Sequence, residues 1–303
     1  MNSAPLVPAI SVIIPHFGDP EPTLSLLQSL KNQIGVEALQ IIVVDDASPT
    51  VFPDCTGVTV IRRKRNGGFG SAVNSGVAVS ENSLSLILNS DLQIGPSMVA
   101  DLVRAAAPHQ PIVASPQVVG HDGSPQWVGR HFPTIRHQTM EWLTPLARWR
   151  HLAQLHEAVG HDTSCVSGED VPVDWVMGAA MLIPTEKFKA IHGFDESFFM
   201  NSEEIDLQRR LRKQGVSARF IGTVSVVHEG GGSSDPQRRR QWLVSSRAAY
   251  ARKWGHPGAL RVALTLASSV NFVVNVVRQV RDPRVHAFTV LQQEIGYLRG
   301  TRK

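Results

Sequence analysis

The sequence predicts an α/β chain organised around a doubly wound, Rossmann-like mixed sheet flanked by helices, with a helical extension at its C-terminal end. Short β-branched runs bounded by turn residues alternate with segments of helical periodicity through the first half. Polar turns follow three of those runs, at the strand carboxyl ends where open sheets bind their ligands. The chain has 303 residues, 42% of them apolar, enough to bury a large core.

Runs at residues 11–14, 40–44, 58–61, 84–88 and 112–114 read as buried parallel strands, because they are near-continuously apolar rather than alternating. Between the first two, Leu24, Leu27, Leu30 and Ile34 recur at helical spacing behind Pro20 and Pro22, which suit a first turn. A second helix is expected over 70–79. From 121 to 170 the texture changes to Trp127, Trp142, Trp149 and six histidines without strand signals, and this stretch reads as loop. Regularity returns over 176–184, followed by a helix over 205–213 stopped by Gly215 and a strand over 224–227. Asp235-Pro236 then reads as an N-cap with proline at the first helical position, opening a basic helix over 237–254.

Charge divides the chain. From Pro236 to the end there are thirteen Lys/Arg against Asp282 and Glu294, a balance of +11, so the overall +4 leaves −7 on the preceding residues. Cys55 and Cys165 stand far apart without metal-ligand spacing and are expected to be unpaired thiols of a reducing compartment. The first residues lack the basic start and apolar run of a secretory leader, so a cytoplasmic location is expected. The basic tail carries no recognisable nucleic-acid module, which argues against nucleic acid as a partner.

Four polar clusters carry chemistry. Asp45 and Asp46 end the second strand, where a carboxylate accepts hydrogen bonds from a ribose or a base N–H; a turn or N-cap aspartate is the bland alternative. Asn66, Gly67, Gly68 and Gly70 form a glycine-rich approach to a helix, which lets backbone N–H groups near phosphate or sugar oxygens; no Gly-Lys-Ser/Thr follows, so it is not a P-loop. Asn89, Ser90 and Asp91 follow the fourth strand directly, and Asp91 there suits a divalent cation bridging two phosphates. Glu203, Glu204 and Asp206 lie beside Phe198, Phe199 and Met200, a setting for a general base whose pKa is raised, although acidic residues also favour helix N-termini. His228, followed by Glu229 and three glycines, adds an imidazole at a strand end with a segment suited to act as a lid.

Taken in order, SVIIPHFG, VVDDAS, NGGFGSAVNSG, LNSD, DWVMGAAMLIP, GFDESFFMNSEEIDLQRRLRKQG and VVHEGGGSS resemble the inverting nucleotide-sugar glycosyltransferases of the GT-A fold, in the large family that includes bacterial rhamnosyl, glucosyl and galactofuranosyl transferases. Within it the set is most similar to rhamnosyltransferases acting on polyprenyl-diphosphate-linked N-acetylglucosamine. The resemblance implies a catalytic domain over 1–235, with a nucleotide-binding half over 10–115 and an acceptor half over 116–235, and a basic extension over 236–303. It implies nucleotide contacts at Pro15, Asp45, Asp46, Asn66, Gly67, Gly68, Gly70, Asn74, Asn89, Ser90 and Asp91, with Asp45 at the nucleobase. It further implies an acceptor side at Asp174, Trp175 and Gly178, and a metal site, for Mg²⁺ or Mn²⁺, at Asp91 and His228. Glu204 occupies the family's catalytic Asp position, one methylene longer here, and the base stays open between Glu203 and Glu204. The implied reaction moves L-rhamnose from dTDP-rhamnose to a polyprenyl-diphosphate-linked cell-wall acceptor by single displacement. Another sugar (galactofuranosyl, glucosyl or N-acetylglucosaminyl) and a non-catalytic nucleotide-sugar binder are the rival readings. A sugar nucleotidyltransferase is disfavoured, because residues 15–19 hold no basic triphosphate loop.

Residues 262–277 carry no charge but are short of a bilayer span. Arg261, Thr265, Ser268, Asn271, Asn275, Arg278 and Asp282 recur along them every three or four residues as a polar stripe. This suits a peripheral helix in the interface of the inner membrane face, with Arg278, Arg281 and Arg284 near anionic headgroups. Packing onto the catalytic domain, or onto a second subunit as a homodimer, is the other use of the same helix.

Overall fold

A computed structural model describes residues 5–149, 152–228 and 236–300, and the chain divides into two compact units. The first holds residues 1–130 and 164–234 and is built on one mixed sheet. β1 (Ile10–His16) lies between β2 (Leu39–Asp45) and β4 (Leu84–Leu88), parallel to both, and β3 (Val58–Arg62) adds to the far side of β2. Both faces of β1 and β4 are covered, so Val12, Ile13, Ile14, Leu86, Ile87 and Leu88 are fully buried, as their unbroken apolar runs imply. β3 differs from the expected buried strand. It is the sheet's edge, and none of its five residues is fully buried.

The chain leaves β2 for β3 on one side of β1 and returns through α2 (Phe69–Ala78) to β4 on the other. That reversal creates a switch point at the carboxyl ends of β1, β2 and β4, where His16, Asp45 and Asn89 emerge. Beyond β4 the sheet becomes mixed, as its fold class predicts. β10 (Ala180–Pro184) runs antiparallel to β4 and to β6 (Ile112–Val119), so the strand that begins at Ile112 is separated from β4 by an inserted strand. β11 (Ser217–His228) lies parallel to β6 and antiparallel to both β5 (Leu92–Ile94) and β8 (Asp170–Val173). β7 (Gly129–Arg130) and β9 (Trp175–Val176) form a separate two-stranded pair.

Helix α1 (Glu21–Lys31) buries Leu27 and Leu30 and ends before Ile34, which is exposed rather than part of the helix as its spacing suggests. α3 (Met98–Ala106), unread in the sequence, packs its Met98, Val99, Leu102 and Val103 into the same core. α6 (Thr185–Ala190) and α7 (Glu203–Lys213) complete the unit, α7 beginning two residues before the expected start. Cys55 and Cys165 are both free thiols.

The second unit holds residues 131–163 and 235–303. Residues 131–163, read in the sequence as loop and as part of the acceptor half, contain α4 (Ile135–Trp142) and α5 (Ala153–Ala158) and belong to this unit. The reason is Trp142. Its ring enters a small core with Val244, Ala251, Leu260, Leu264, Ala267 and Leu298 from three helices, α8 (Pro236–Trp254), α9 (Pro257–Arg281) and α10 (Ala287–Gly300). Asp235, expected as the cap of α8, and the glycine-rich segment after His228 lie outside the described residues.

α9 has 25 residues, long and apolar enough by length and composition to cross a membrane, which corrects the shorter reading from its uncharged stretch. The middle of its polar stripe, Ser268, Asn271 and Asn275, turns inward, while Thr265 and Arg278 stay exposed. Trp142 Nε1 donates to Ser268 Oγ at 2.9 Å, Asn271 Nδ2 donates to Trp142 O at 3.0 Å, and the Thr144 amide donates to Asn271 Oδ1 at 3.0 Å. Glu294 of α10 accepts from Asn271 at 3.2 Å and from Arg240 at 3.4 Å, so this buried carboxylate is paired.

Candidate functional site

Sequence and backbone together place three groups of polar side chains in the first unit. At the end of β2, Asp45 is buried with both oxygens occupied by the turn that follows. The Ser48 amide donates to Oδ1 at 2.8 Å and the Phe52 amide to Oδ2 at 3.0 Å. Burial alone would raise this carboxyl, yet those bonds hold it below the ordinary carboxylate range. Asp46 holds the glycine-rich loop: Gly67 N–H donates to it at 3.1 Å, Gly68 N–H at 2.8 Å, and Arg63 Nη1 pairs with it at 2.6 Å. The two glycine amides expected to face phosphate or sugar oxygens therefore donate to Asp46. Asn66 Oδ1 also accepts from Gly68 N–H, at 3.1 Å, and Arg63 reaches Ser71 of α2 at 2.6 Å. Pro15 lies within β1 opposite Val44.

The same loop meets the segment before α7. Gly68 sits at φ +83°, and a Cβ there would stand 1.9 Å from the carbonyl oxygen of Phe199. Gly70 abuts Phe194, and Asn74 pairs with the Phe194 backbone in both directions, Nδ2 donating to its carbonyl at 2.9 Å and Oδ1 accepting from its amide at 2.8 Å. Asn74 thus clamps the 194–199 segment to α2. Gly178 lies against the Phe69 ring.

The second group forms where β4 and β11 end. His228 Nε2 is 3.2 Å from Asp91 Oδ1 and 3.2 Å from Asn89 Nδ2, while Ser90 lies in the turn between β4 and β5. Gln126 fixes the ring: its Nε2 donates to the His228 carbonyl at 3.0 Å, so its Oε1, 2.7 Å from Nδ1, accepts the imidazole N–H. That network places a proton on Nδ1 and turns Nε2 toward the Asp91 carboxylate and the Asn89 amide. An imidazole nitrogen and a carboxylate oxygen so close are two groups that could together hold a divalent cation. Among the described residues no third His, Cys, Asp or Glu joins them. Gln126 escaped sequence reasoning, since one glutamine in an unpatterned stretch carries no signal.

Glu203 and Glu204 open α7 after Asn201 and Ser202, both in the left-handed region at φ +68° and +65°. Glu203 is buried, with Oε2 lacking a hydrogen-bond partner; burial, then the neighbouring Glu204 charge, hold it well above the usual range. Glu204 is half-buried as a residue, yet its Oε2 is likewise buried without a hydrogen-bond partner, and burial raises this carboxyl too, against the opposing pull of its own backbone amide and then of the Arg130 guanidinium. Asp206, the third carboxylate, is fully buried and paired with Arg210 at 2.8 Å, a structural link to the Ile191 and Gly193 carbonyls. Arg130, also unread in the sequence, lies 5.5 Å over the Trp175 ring and donates to the Trp127 carbonyl. Trp175 is buried and Asp174 pairs with Arg212.

The last two groups are tied through the segment 175–179. The Asn89 amide donates to Ala179 O at 2.8 Å, and Gln208 of α7 binds the Val176 backbone in both directions at 2.7 and 2.8 Å. The Asp91–His228 pair and the α7 carboxylates therefore share one support.

Glu203 carries a test of its own. Because its carboxyl is raised in the folded chain, the fold holds a proton that the unfolded chain has released, and stability falls as pH rises from the ordinary glutamate pKa toward the folded one. Glu203→Gln is expected to flatten that decline; denaturant unfolding across the window, with parallel pH profiles for both chains, would contradict it.

The profile of Glycosyl transferase family 2 matches residues 11–163. An N-acetylglucosaminyl-diphospho-decaprenol L-rhamnosyltransferase of Mycobacterium tuberculosis is 26% identical over 179 residues, 54% of this chain and 56% of that protein. The rhamnosyltransferase WbbL of Escherichia coli K12 is 37% identical over 59 residues, 20% of this chain and 22% of its own length. The chain spans about half or less of these relatives. Among solved structures, GalNAc-T7 with UDP, GalNAc and Mn²⁺ superposes with a TM-score of 0.57 at 15% identity, covering 81% of this chain and 48% of that one. That likeness concerns the fold.

Proposed function

The chain belongs to glycosyl transferase family 2, a glycosyltransferase of GT-A fold, and from that premise we propose that it moves L-rhamnose from dTDP-rhamnose to a polyprenyl-diphosphate-linked glycan at the inner membrane face, inverting the anomeric configuration. The observation that carries this reading is the separation of two chemistries on one support, a Glu204 whose carboxyl is raised and an Asp91–His228 pair 3.2 Å apart. The printed activities of the two relatives support the sugar and, for the mycobacterial protein, the lipid-linked acceptor.

In this reading Glu204 takes the proton of the acceptor hydroxyl, for which a raised carboxyl is suited near neutral pH. The freed oxygen attacks the anomeric carbon from the face opposite the nucleotide, the bond to the diphosphate breaks, and the proton leaves Glu204 to water. Asp91 and His228 would hold Mg²⁺ or Mn²⁺, which when bound neutralises charge on the departing diphosphate. Gln126 keeps His228 Nε2 turned to that place. Arg130, which lies over the Trp175 ring on the acceptor side, keeps Glu204 from rising further.

Asp91→Ala is expected to weaken Mn²⁺-dependent nucleotide binding by about 10- to 100-fold while leaving the fold intact. Titration calorimetry with the nucleoside diphosphate checks this, and overlapping curves for the two chains would remove Asp91 from the proposed metal site.

A further inference from the structure

Helix α9 is turned inside out relative to a water-facing helix. Val262, Leu266, Val270, Val273, Val277 and Val280 recur every three or four residues and are all at least half exposed, Val280 by 85%. Ser268, Asn271 and Asn275 on the other side are buried and, at Ser268 and Asn271, bonded to Trp142 and Glu294. The exposed hydroxyls beside the stripe, Thr265 and Ser269, bond back to the helix's own carbonyls of Arg261 and Thr265, so this face offers an apolar surface matched to a non-aqueous neighbour.

Charge identifies that neighbour. α9 contains no Asp or Glu, and its last turn presents exposed Arg278 and Arg281, followed by Arg284. After Pro236 the carboxylates are Asp282, paired with Arg284, and Glu294, buried against Asn271 and Arg240. A second copy of the helix would bring like charges together with no carboxylate in α9 to pair them, whereas an anionic surface satisfies both the arginines and the stripe.

We propose that the exposed face of α9 docks onto a bilayer surface containing anionic lipid, lying in the interface and not crossing it. The bonded Ser268–Asn271 side excludes a lipid environment all round the helix. This deepens the function proposed above by naming the membrane-contacting residues, and rests on it only for what the surface would offer, a lipid-borne acceptor.

The test is flotation of the full chain with phosphatidylcholine vesicles, with and without phosphatidylglycerol, beside light scattering of the free protein. Wild type is expected to float with the anionic vesicles as a monomer in solution. Leu266→Glu/Val273→Glu is expected to reduce partitioning at least about tenfold. Arg278→Glu/Arg281→Glu is expected to lose about tenfold on anionic vesicles and little on neutral ones. All these positions are exposed, so the thermal melts should overlay; if one pair fails to fold, the other still decides. Equal partitioning of wild type and the folded variants overturns the proposal, as does a wild-type dimer that Leu266→Glu/Val273→Glu splits into monomers. Vesicle binding needs no turnover, so loss of sugar transfer with intact flotation would count against the proposed reaction alone.

Discussion

Glu204→Gln is expected to lower sugar transfer about a thousandfold, within the range that removal of a general base costs. The amide keeps the shape of the side chain but cannot take the acceptor proton, so nucleotide affinity should stay within about twofold of wild type. Glu203→Gln is the paired control. Its side chain is the more buried of the two and its carboxyl is held further above the ordinary range, so neutralising it should change stability against pH more than turnover. Steady-state kinetics of both variants decide between the two. A Glu203→Gln enzyme without activity beside an active Glu204→Gln enzyme would exchange their roles.

Gly68→Ala is expected to cost about 3 kcal/mol of stability or more, and with it most activity. Two independent demands meet at this residue. Its φ of +83° with ψ near 175° is a conformation essentially reserved for glycine, and an added methyl would collide with the Phe199 backbone, which no rotamer change relieves. Phe199 lies four residues before Glu203, so displacing it moves the turn through Asn201 and Ser202 that aims both glutamates. Denaturant unfolding should show the midpoint falling sharply; a variant as stable and active as wild type would mean that the loop and the α7 turn are not locked together.

How much of this was legible depended on whether a residue's partners were local. β1, β2 and β4 announced themselves because burial on both faces makes a strand continuously apolar, and Asp45, Asp46 and Asp91 then stood at strand ends. β10 did not announce its direction, since an apolar strand reads the same whether it pairs parallel or antiparallel. α4 was hidden because its anchor, Trp142, packs on helices more than a hundred residues later in the chain. The polar stripe of α9 was visible but its direction was not: serine and asparagine read as solvent-facing until Trp142 and Glu294 supply their bonds. Asn74 illustrates the converse. A glycine-rich helix start marked it for the nucleotide, and it clamps the Phe194 backbone instead. Adjacent glutamates cannot be told apart by pattern, and the burial of one and partial exposure of the other had to come from the tertiary structure.

The central claim is inverting transfer of rhamnose to a diphosphate-linked lipid with Glu204 as base. Proton NMR of the anomeric centre, after incubating the full chain with dTDP-rhamnose, Mn²⁺ and a polyprenyl-diphosphate-linked N-acetylglucosamine, tests it most directly. The expected result is a new rhamnoside of configuration opposite to the donor, formed by wild type and absent with Glu204→Gln. A product that retains the donor configuration, or one formed equally well by Glu204→Gln, would contradict it.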